Sequence, residues 1–225
     1  MFREITFDEN IINNLLSKVD KSLKEYIEKN ILPEYSLNDG GHNINHINYV
    51  LKRAFELAED INPNILYTCV TFHDIACHID RDNHEVLSAE KAYNDSFLNN
   101  FFSKEEMMII KEAIEDHRAS LEYTPRNIYG KILSSSDRKV DVKEYLIASL
   151  SYGIKKEPNL SKEDQIKRSY DYAQKKFGKE GYAINKFYIE DKKYKQYLED
   201  IQYLLDNPSI FNKEASIIYD TLIKE

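Results

Sequence analysis

The chain has 225 residues, of which 42% are hydrophobic and 31% charged, which is ordinary for a globular protein with a sizeable core. The formal net charge of −8 argues against a general nucleic-acid surface, and no apolar run is long enough to span a bilayer. Only 6 Gly and 5 Pro interrupt the sequence, which favours long helices and predicts an all-α fold.

The cysteines and the N-terminus both indicate the cytoplasm. Cys69 and Cys77 are the only cysteines, and their spacing within a predicted helix and its end does not suit a disulfide. The first ten residues lack the basic start and apolar stretch of a signal peptide. We therefore expect reduced thiols and a cytoplasmic protein.

The first predicted elements are helices with one apolar face. A first stripe, ended before Pro33, consists of Ile12, Leu15, Val19, Leu23 and Ile27. A turn-rich segment at residues 37–41 introduces a second helix, whose stripe consists of Ile47, Val50, Ala54 and either Leu57 or Ala58. His46 lies four residues before Val50, so it is predicted to face the same buried side.

Pro63 suits the first turn of the next helix. In that helix Leu66, Cys69 and His73 follow one another at i, i+3 and i+7, which puts His73 on the apolar side. Asp74 is then about one hundred degrees further around the helix. An apolar helix thus ends in two adjacent side chains that can bind metal.

Two more helices are predicted to carry histidines. Asn83 is a candidate N-cap for a helix with His84 in its first turn and an apolar stripe of Val86, Ala89, Tyr93 and Phe97. Residues 103–106 have the pattern of a capping box. The helix that follows has a stripe of Met107, Ile110 and Ile114, which His117 continues.

After Pro125, a further helix is predicted to place Leu133, Asp137 and Val140 on its buried side. The last third of the chain contains no histidine and is predicted to cover the rest. There, residues 161–164 resemble a cap for a helix that ends at Gly178. A long helix should then place Ile184, Phe187, Tyr194, Leu198, Ile201 and Leu205 on one side and end near Pro208.

Four polar residues, His46, His73, Asp74 and Asp137, are thus predicted on buried faces of different helices. A buried carboxylate costs several kcal/mol unless it is paired or bound to a cation. Imidazole and carboxylate together suit divalent transition metals. A metal-free polar network is the simpler alternative, but the pattern favours a metal site.

The order of these residues resembles that of the HD superfamily of metal-dependent phosphohydrolases. The resemblance covers roughly residues 42 to 142, through the segments HNINHINYVLKRA, VTFHDI, HEVLSAEKA, IKEAIEDH and ILSSSDRKVD. It implies an HD-domain helical bundle, at about residues 35–150, with a C-terminal helical extension at 151–225 packed on it. We expect the two parts to form a single all-α domain.

The resemblance also implies a set of site residues. His46, His73, Asp74 and Asp137 match the family's metal ligands, and His84 and His117 match two histidines found in a subset of the family. In relatives with two metals such histidines hold the second ion and the aspartate of the dipeptide bridges the pair. The expected cofactor is one or two divalent ions per chain, drawn from Mn, Mg, Co, Ni or Fe. Asn43 departs from the family, where Asp is frequent.

The implied activity is hydrolysis of a small phosphorylated metabolite, with a nucleotide as the favoured substrate and a phosphomonoester or pyrophosphate bond as the target. The expected catalytic residues are Asp74, His84, His117 and Arg138, the last as a partner for phosphate. Arg81, Arg118 and Lys139 are either further phosphate partners or solvated charges. We expect no membrane partner and no nucleic acid, and the sequence assigns no oligomeric state.

Two alternatives stay open. The same order of ligands resembles the HD-fold di-iron oxygenases, which use oxygen in place of hydrolysis. A non-catalytic domain that binds a nucleotide in the same pocket is also compatible with the sequence. His42, one turn before His46, is assigned to a supporting or solvent-exposed position, with metal ligation as the alternative. His78, four residues after Asp74, is an alternative general acid.

Overall fold

The computed structural model describes residues 5–39 and 41–224. Within these ranges the chain forms twelve α-helices and one 3-10 helix and contains no strand, which confirms the all-α prediction. The helices are α1 Glu9–Ser17, α2 Lys21–Asn30, α3 Ile44–Leu57, α4 Pro63–Phe72, α5 His84–Tyr93, α6 Ser96–Phe101, α7 Lys104–Glu115, α8 Ile128–Ser136, α9 Val142–Lys156, α10 Lys162–Phe177, α11 Lys192–Asp206 and α12 Pro208–Leu222, with the 3-10 helix Leu32–Leu37 before α3.

The chain divides into two compact units. The larger unit contains Thr6–Arg138 and the short segment Phe187–Glu190. The smaller unit contains Lys139–Lys186 and residues 191–224. The expectation that both parts belong to one domain stays a prediction. None of the described helices is both long and apolar enough to cross a bilayer.

The predicted apolar faces form the core of the larger unit. Its fully buried members include Leu23, Ile27, Ile47, Val50, Ala54, Leu66, Cys69, Val70, Phe72, Ile110, Ile114 and Leu133. Pro63 occupies the first turn of α4. Ser103 and Glu106 form the predicted capping box at the start of α7. Tyr35 is buried and donates a hydrogen bond from its hydroxyl to the Thr71 carbonyl, at 2.9 Å.

Several helices are shorter than the periodicity suggested. The first stripe spans two helices, because the Asp20 side chain accepts hydrogen bonds from Ser22 N and Leu23 N and starts α2. Likewise α5 ends at Tyr93, because Asp95 caps a separate helix, α6, that contains Phe97. The predicted stripe of α5 is also wrong at Val86, which is 43% exposed. Capping carboxylates here interrupt an apolar pattern that continues through them.

The smaller unit has a core of its own, built from α9, α10, α11 and α12. Aromatic rings cross between its helices, with ring centroids 5.3 Å apart for Phe177 and Tyr197 and 5.0 Å apart for Tyr170 and Phe211. The predicted long helix from Ile184 is wrong. Residues 178–191 are turns and bends, and α11 begins only at Lys192, where Asp191 caps it.

Candidate metal centre

The six predicted ligands lie at the ends of five helices of the larger unit. His46 lies in the first turn of α3, His73 and Asp74 directly follow α4, His84 begins α5, His117 lies two residues after α7, and Asp137 directly follows α8. The sequence predicted that His117 lies within its helix and that one helix continues through Asp137 to Val140. The structure corrects this, because α7 ends at Glu115 and α8 at Ser136. All six nevertheless converge on one place.

Asp74 is the centre of the group. Its Oδ2 lies 3.3 Å from His46 Nε2 and 3.3 Å from His73 Nε2. Its Oδ1 lies 3.2 Å from His84 Nε2 and 3.5 Å from His117 Nε2. The two oxygens of one carboxylate therefore divide four imidazole nitrogens into two pairs.

Asp137 joins the first pair. Its Oδ1 lies 3.1 Å from His46 Nε2 and 3.9 Å from His73 Nε2. The sequence predicted a core position for Asp137, but 26% of its side chain is exposed, against 3% for Asp74 and 8% for His46. Asp137 is thus the most accessible member of the group and marks the side on which a small molecule can approach.

Backbone carbonyls orient three of the histidines. The Nδ1 atoms of His73, His84 and His117 lie 2.8, 2.8 and 2.6 Å from carbonyl oxygens three residues earlier in the chain, those of Val70, Arg81 and Ile114. A carbonyl only accepts, so each Nδ1 carries a proton and each Nε2 faces the Asp74 carboxylate. This outer contact is the usual one for a metal-binding histidine.

The two carboxylates of the group depend on positive charge from their neighbours. Burial lowers the pKa of His46, but the contacts with Asp137 and Asp74 outweigh burial and raise it to about 9. Burial alone would raise the pKa of Asp74, yet the charge of His73 and the hydrogen bonds of the surrounding histidines hold it well below its usual range. Ionised carboxylates buried among imidazoles are stable when a positive charge lies between them.

The unsatisfied atoms fit a metal ion. Among the described residues, His46 Nε2 and His73 Nε2 are buried without a hydrogen-bond partner of good geometry. Two groups of three ligand atoms, one atom from each residue, lie within 4.8 Å of one another. The first group is His46, His73 and Asp137, and the second is His73, Asp74 and His117. These nitrogen and oxygen donors could hold a divalent ion.

Other residues that the sequence singled out have identifiable positions. The Asn43 side chain caps α3 and accepts from His46 N at 3.3 Å, so it fixes the start of the helix that carries His46. Arg138 is 8% exposed, and its guanidinium carbon lies 5.2 Å from the centroid of the Tyr188 ring. Arg118 contacts Glu85 and donates to the Asp82 carbonyl, at 2.5 Å. The phosphate-binding role of Arg138 stays a prediction.

Two supporting contacts were missed by the sequence reasoning. Asp116, fully buried, accepts from the Arg126 guanidinium at 2.8 and 2.9 Å and thereby holds the turn next to His117. Tyr188 reaches Arg138 from a segment far along the chain. The Glu-Asp-His sequence before the turn is the one local pattern that could have indicated Asp116. Nothing near Tyr188 indicates its partner.

Comparison with protein families agrees with this site. Residues 43–142 match the family model of the HD domain, a segment that includes all six site residues. Residues 43–142 of the chain therefore form an HD domain. Searches of curated proteins and of solved structures gave no match to the chain.

Proposed function

We propose that the protein is a metal-dependent phosphohydrolase with two divalent ions per chain. The observation that carries the proposal is the division of the four histidines between the two oxygens of Asp74. Such a carboxylate can bridge two cations, one held with His46, His73 and Asp137 and the other with His84 and His117. When bound, divalent ions supply Lewis acidity, which polarises a phosphoryl oxygen and acidifies water.

The protein's own groups supply binding and orientation. Asp137, the most exposed member of the group, places the first ion on the approachable side. Arg138, which follows it, offers a planar set of donors suited to a phosphoryl group. The deep burial of His73, Asp74 and His117 keeps bulk water away from one side of the site. We favour a small phosphorylated metabolite of the nucleotide class, cleaved at a phosphomonoester or pyrophosphate bond.

A metal-supplemented activity screen tests the proposal. Purified protein loaded with Mn²⁺, Mg²⁺, Co²⁺, Ni²⁺ or Fe²⁺ is incubated with nucleotides and simple phosphate esters, and released phosphate and pyrophosphate are measured. We expect hydrolysis of at least one nucleotide and its loss in Asp74→Ala. Full activity in Asp74→Ala would overturn the site assignment.

The same preparations distinguish the other functions open to this ligand set. Oxygen consumption by the iron-loaded protein, without phosphate release from any substrate, would support an oxygenase instead. Nucleotide binding by calorimetry in a metal-loaded protein that releases no phosphate would support a non-catalytic binding domain. Either result would contradict the phosphohydrolase proposal.

A further inference from the structure

A second group of potential metal ligands lies beside the central six and shares one residue with them. Ligand atoms of His42, Asp74 and Cys77 lie within 4.8 Å of one another. Burial and the nearby Asp74 carboxylate raise the pKa of the Cys77 thiol. Neither His42 nor Cys77 has a part in the proposed hydrolytic site. Imidazole nitrogen, thiolate sulfur and carboxylate oxygen together are donors that Zn²⁺ binds in proteins.

His42 is oriented in the way expected of a ligand. Its Nδ1 lies 2.8 Å from Asp39 Oδ1, and Asp39 in turn contacts the Arg81 guanidinium. A histidine whose one ring nitrogen donates to a carboxylate presents the other nitrogen, here Nε2, to a cation. The side chain of His42 is 23% exposed, so the ring is reached by solvent.

Asn38 holds the two halves of this second group together. Its Nδ2 donates to the carbonyl oxygens of His42, at 3.0 Å, and of Asp74, at 2.9 Å. Its Oδ1 accepts from His78 N at 3.0 Å. One amide therefore ties the turn that carries His42 to the turn that carries Asp74 and Cys77, and the three donors stay close without any ion.

We propose that His42, Asp74 and Cys77 form an additional site for a thiophilic divalent cation of the zinc and cadmium class. Binding replaces the S–H bond of Cys77 with a sulfur–metal bond, and the proton passes to solvent. Three protein donors leave one position of a tetrahedral shell for water. Because Asp74 belongs to both groups, a cation bound here competes with the central site for that carboxylate.

A cadmium titration tests binding without any assay of activity. A cadmium–thiolate bond gives an ultraviolet charge-transfer band that imidazole and carboxylate ligands do not give, so cadmium held by the central six stays silent. We expect the band in metal-free wild-type protein and its loss in Cys77→Ser. Cys69 is fully buried in the core, and Cys69→Ala, the matched control, should keep the band.

His42 decides between a built site and a thiol that binds cadmium alone. His42→Gln should raise the cadmium dissociation constant at least tenfold, which corresponds to about 1.4 kcal/mol. Absence of the band in wild type, its persistence in Cys77→Ser, or unchanged affinity in His42→Gln would each overturn the proposal. His42 and Cys77 both lie outside helices, so their substitution should leave the helices intact. Far-ultraviolet circular dichroism of each variant checks this, and Cys77→Ala serves as a second variant if Cys77→Ser fails to fold.

A consequence for activity rests on the proposed function. Zn²⁺ added to the Mn²⁺-loaded enzyme should slow phosphate release in wild type and in Cys69→Ala. In Cys77→Ser, the ratio of the rate with Zn²⁺ to the rate without Zn²⁺ should be closer to one. An equal ratio in all three proteins would contradict the competition for Asp74. If no substrate is hydrolysed at all, the phosphohydrolase proposal fails while the cadmium titration still decides the second site.

Discussion

Asp74 contacts all four histidines of the cluster, and each of its oxygens serves two of them. A side chain that is 3% exposed and ionised in this position has no solvent to stabilise its charge. Its neighbours offer nitrogen lone pairs, which do not stabilise an anion unless a proton or a metal ion lies between. Asp74 therefore links the histidine pair at its Oδ2, His46 and His73, to the pair at its Oδ1, His84 and His117, through charge as well as position.

Metal content should separate the two halves. His84→Ala removes a ligand of the second proposed ion only, so we expect one ion per chain in that variant, two in wild type and none in Asp74→Ala. The measurement is metal analysis by mass spectrometry after gel filtration. His78→Ala, an exposed histidine outside the six, is the control and should keep two. Two ions in His84→Ala would contradict the division between the oxygens of Asp74.

Arg138 and Tyr188 form a pair that the phosphohydrolase proposal can use. A cation over an aromatic face is worth about 1 kcal/mol, so Tyr188→Ala should raise KM for a phosphate substrate roughly fivefold with a smaller change in kcat. Tyr188→Phe keeps the ring and should restore the wild-type KM. Steady-state kinetics measures both. Tyr203→Ala, an exposed tyrosine of the smaller unit, is the control. A KM unaffected by Tyr188→Ala would show that the ring does not position Arg138 for substrate binding.

At the level of single residues, the sequence predicted all six members of the central site. His46, His73, Asp74 and Asp137 appear on predicted apolar faces, where an unpaired polar side chain would be costly. His84 and His117 were predicted from the resemblance to the HD superfamily. Tyr188 and the partnership of Asp116 with Arg126 left no such trace. The sequence around each of these residues contains no pattern that indicates its partner, so only the folded chain reveals these contacts.

In the HD domain, the site residues lie at the ends of helices. All six site residues lie in the first turn of a helix or one or two residues beyond its last residue. Helix ends carry backbone groups without helical partners, so the adjacent turns are held by side chains. The turn after α7, held by Asp116 and Arg126, shows how such support reaches a site residue.

Loss of the contact between Arg126 and Asp116 should lower the free energy of unfolding. Arg126→Met leaves the fully buried Asp116 carboxylate without its guanidinium partner, and we expect a loss of about 3 kcal/mol in the free energy of unfolding. Arg126→Lys keeps the charge without the planar fork and should lose less. Urea unfolding followed by circular dichroism measures both. A loss below about 1 kcal/mol, the range of exposed ion pairs, would contradict the structural role.

Acid should weaken the end of α7 through Glu115. Burial raises the pKa of Glu115, but its hydrogen bonds with Lys111 and Arg126 outweigh burial and leave the pKa below its ordinary value. A carboxyl whose pKa is lowered on folding stabilises the protein above its unfolded pKa, about 4.3, and this contribution disappears as pH falls through the folded pKa.

Glu115→Gln removes this titration. The difference in melting temperature between wild type and Glu115→Gln should be largest near neutral pH and shrink as pH falls below about 4, the ordinary range of a glutamate. Thermal unfolding of the two proteins at matched pH values measures it. A difference that stays constant over this range would show that the ion pairs of Glu115 add no stability.

For the whole chain, the two compact units differ in chemistry. The larger unit contains every member of the central site, and the smaller unit contains no histidine at all. The smaller unit instead has an aromatic core formed by residues such as Tyr145, Phe177 and Tyr197. The functional proposals therefore concern the larger unit alone.

Hydrogen exchange should reflect this division. Metal binding stabilises the folded state in which the ligands are assembled, so adding Mn²⁺ should slow amide exchange in α3, α4, α5, α7 and α8. The helices α10 to α12 should show little change. Mass spectrometry of the exchanged peptides with and without metal measures this, and His78→Ala serves as a control that still binds. Equal protection in both units would contradict the confinement of the site to the larger one.

From the sequence, helical periodicity predicted the all-α class, and the burial of polar groups on apolar faces predicted four of the six site residues. The HD domain at residues 43–142, and His84 and His117 as further members of the site, followed from the order of the motifs along the chain. Only the tertiary structure decided the division of the four histidines between the oxygens of Asp74, the position of Tyr188 at Arg138, and the proximity of His42 and Cys77. These depend on distances between segments that are remote in the chain, and local patterns contain no information about such distances.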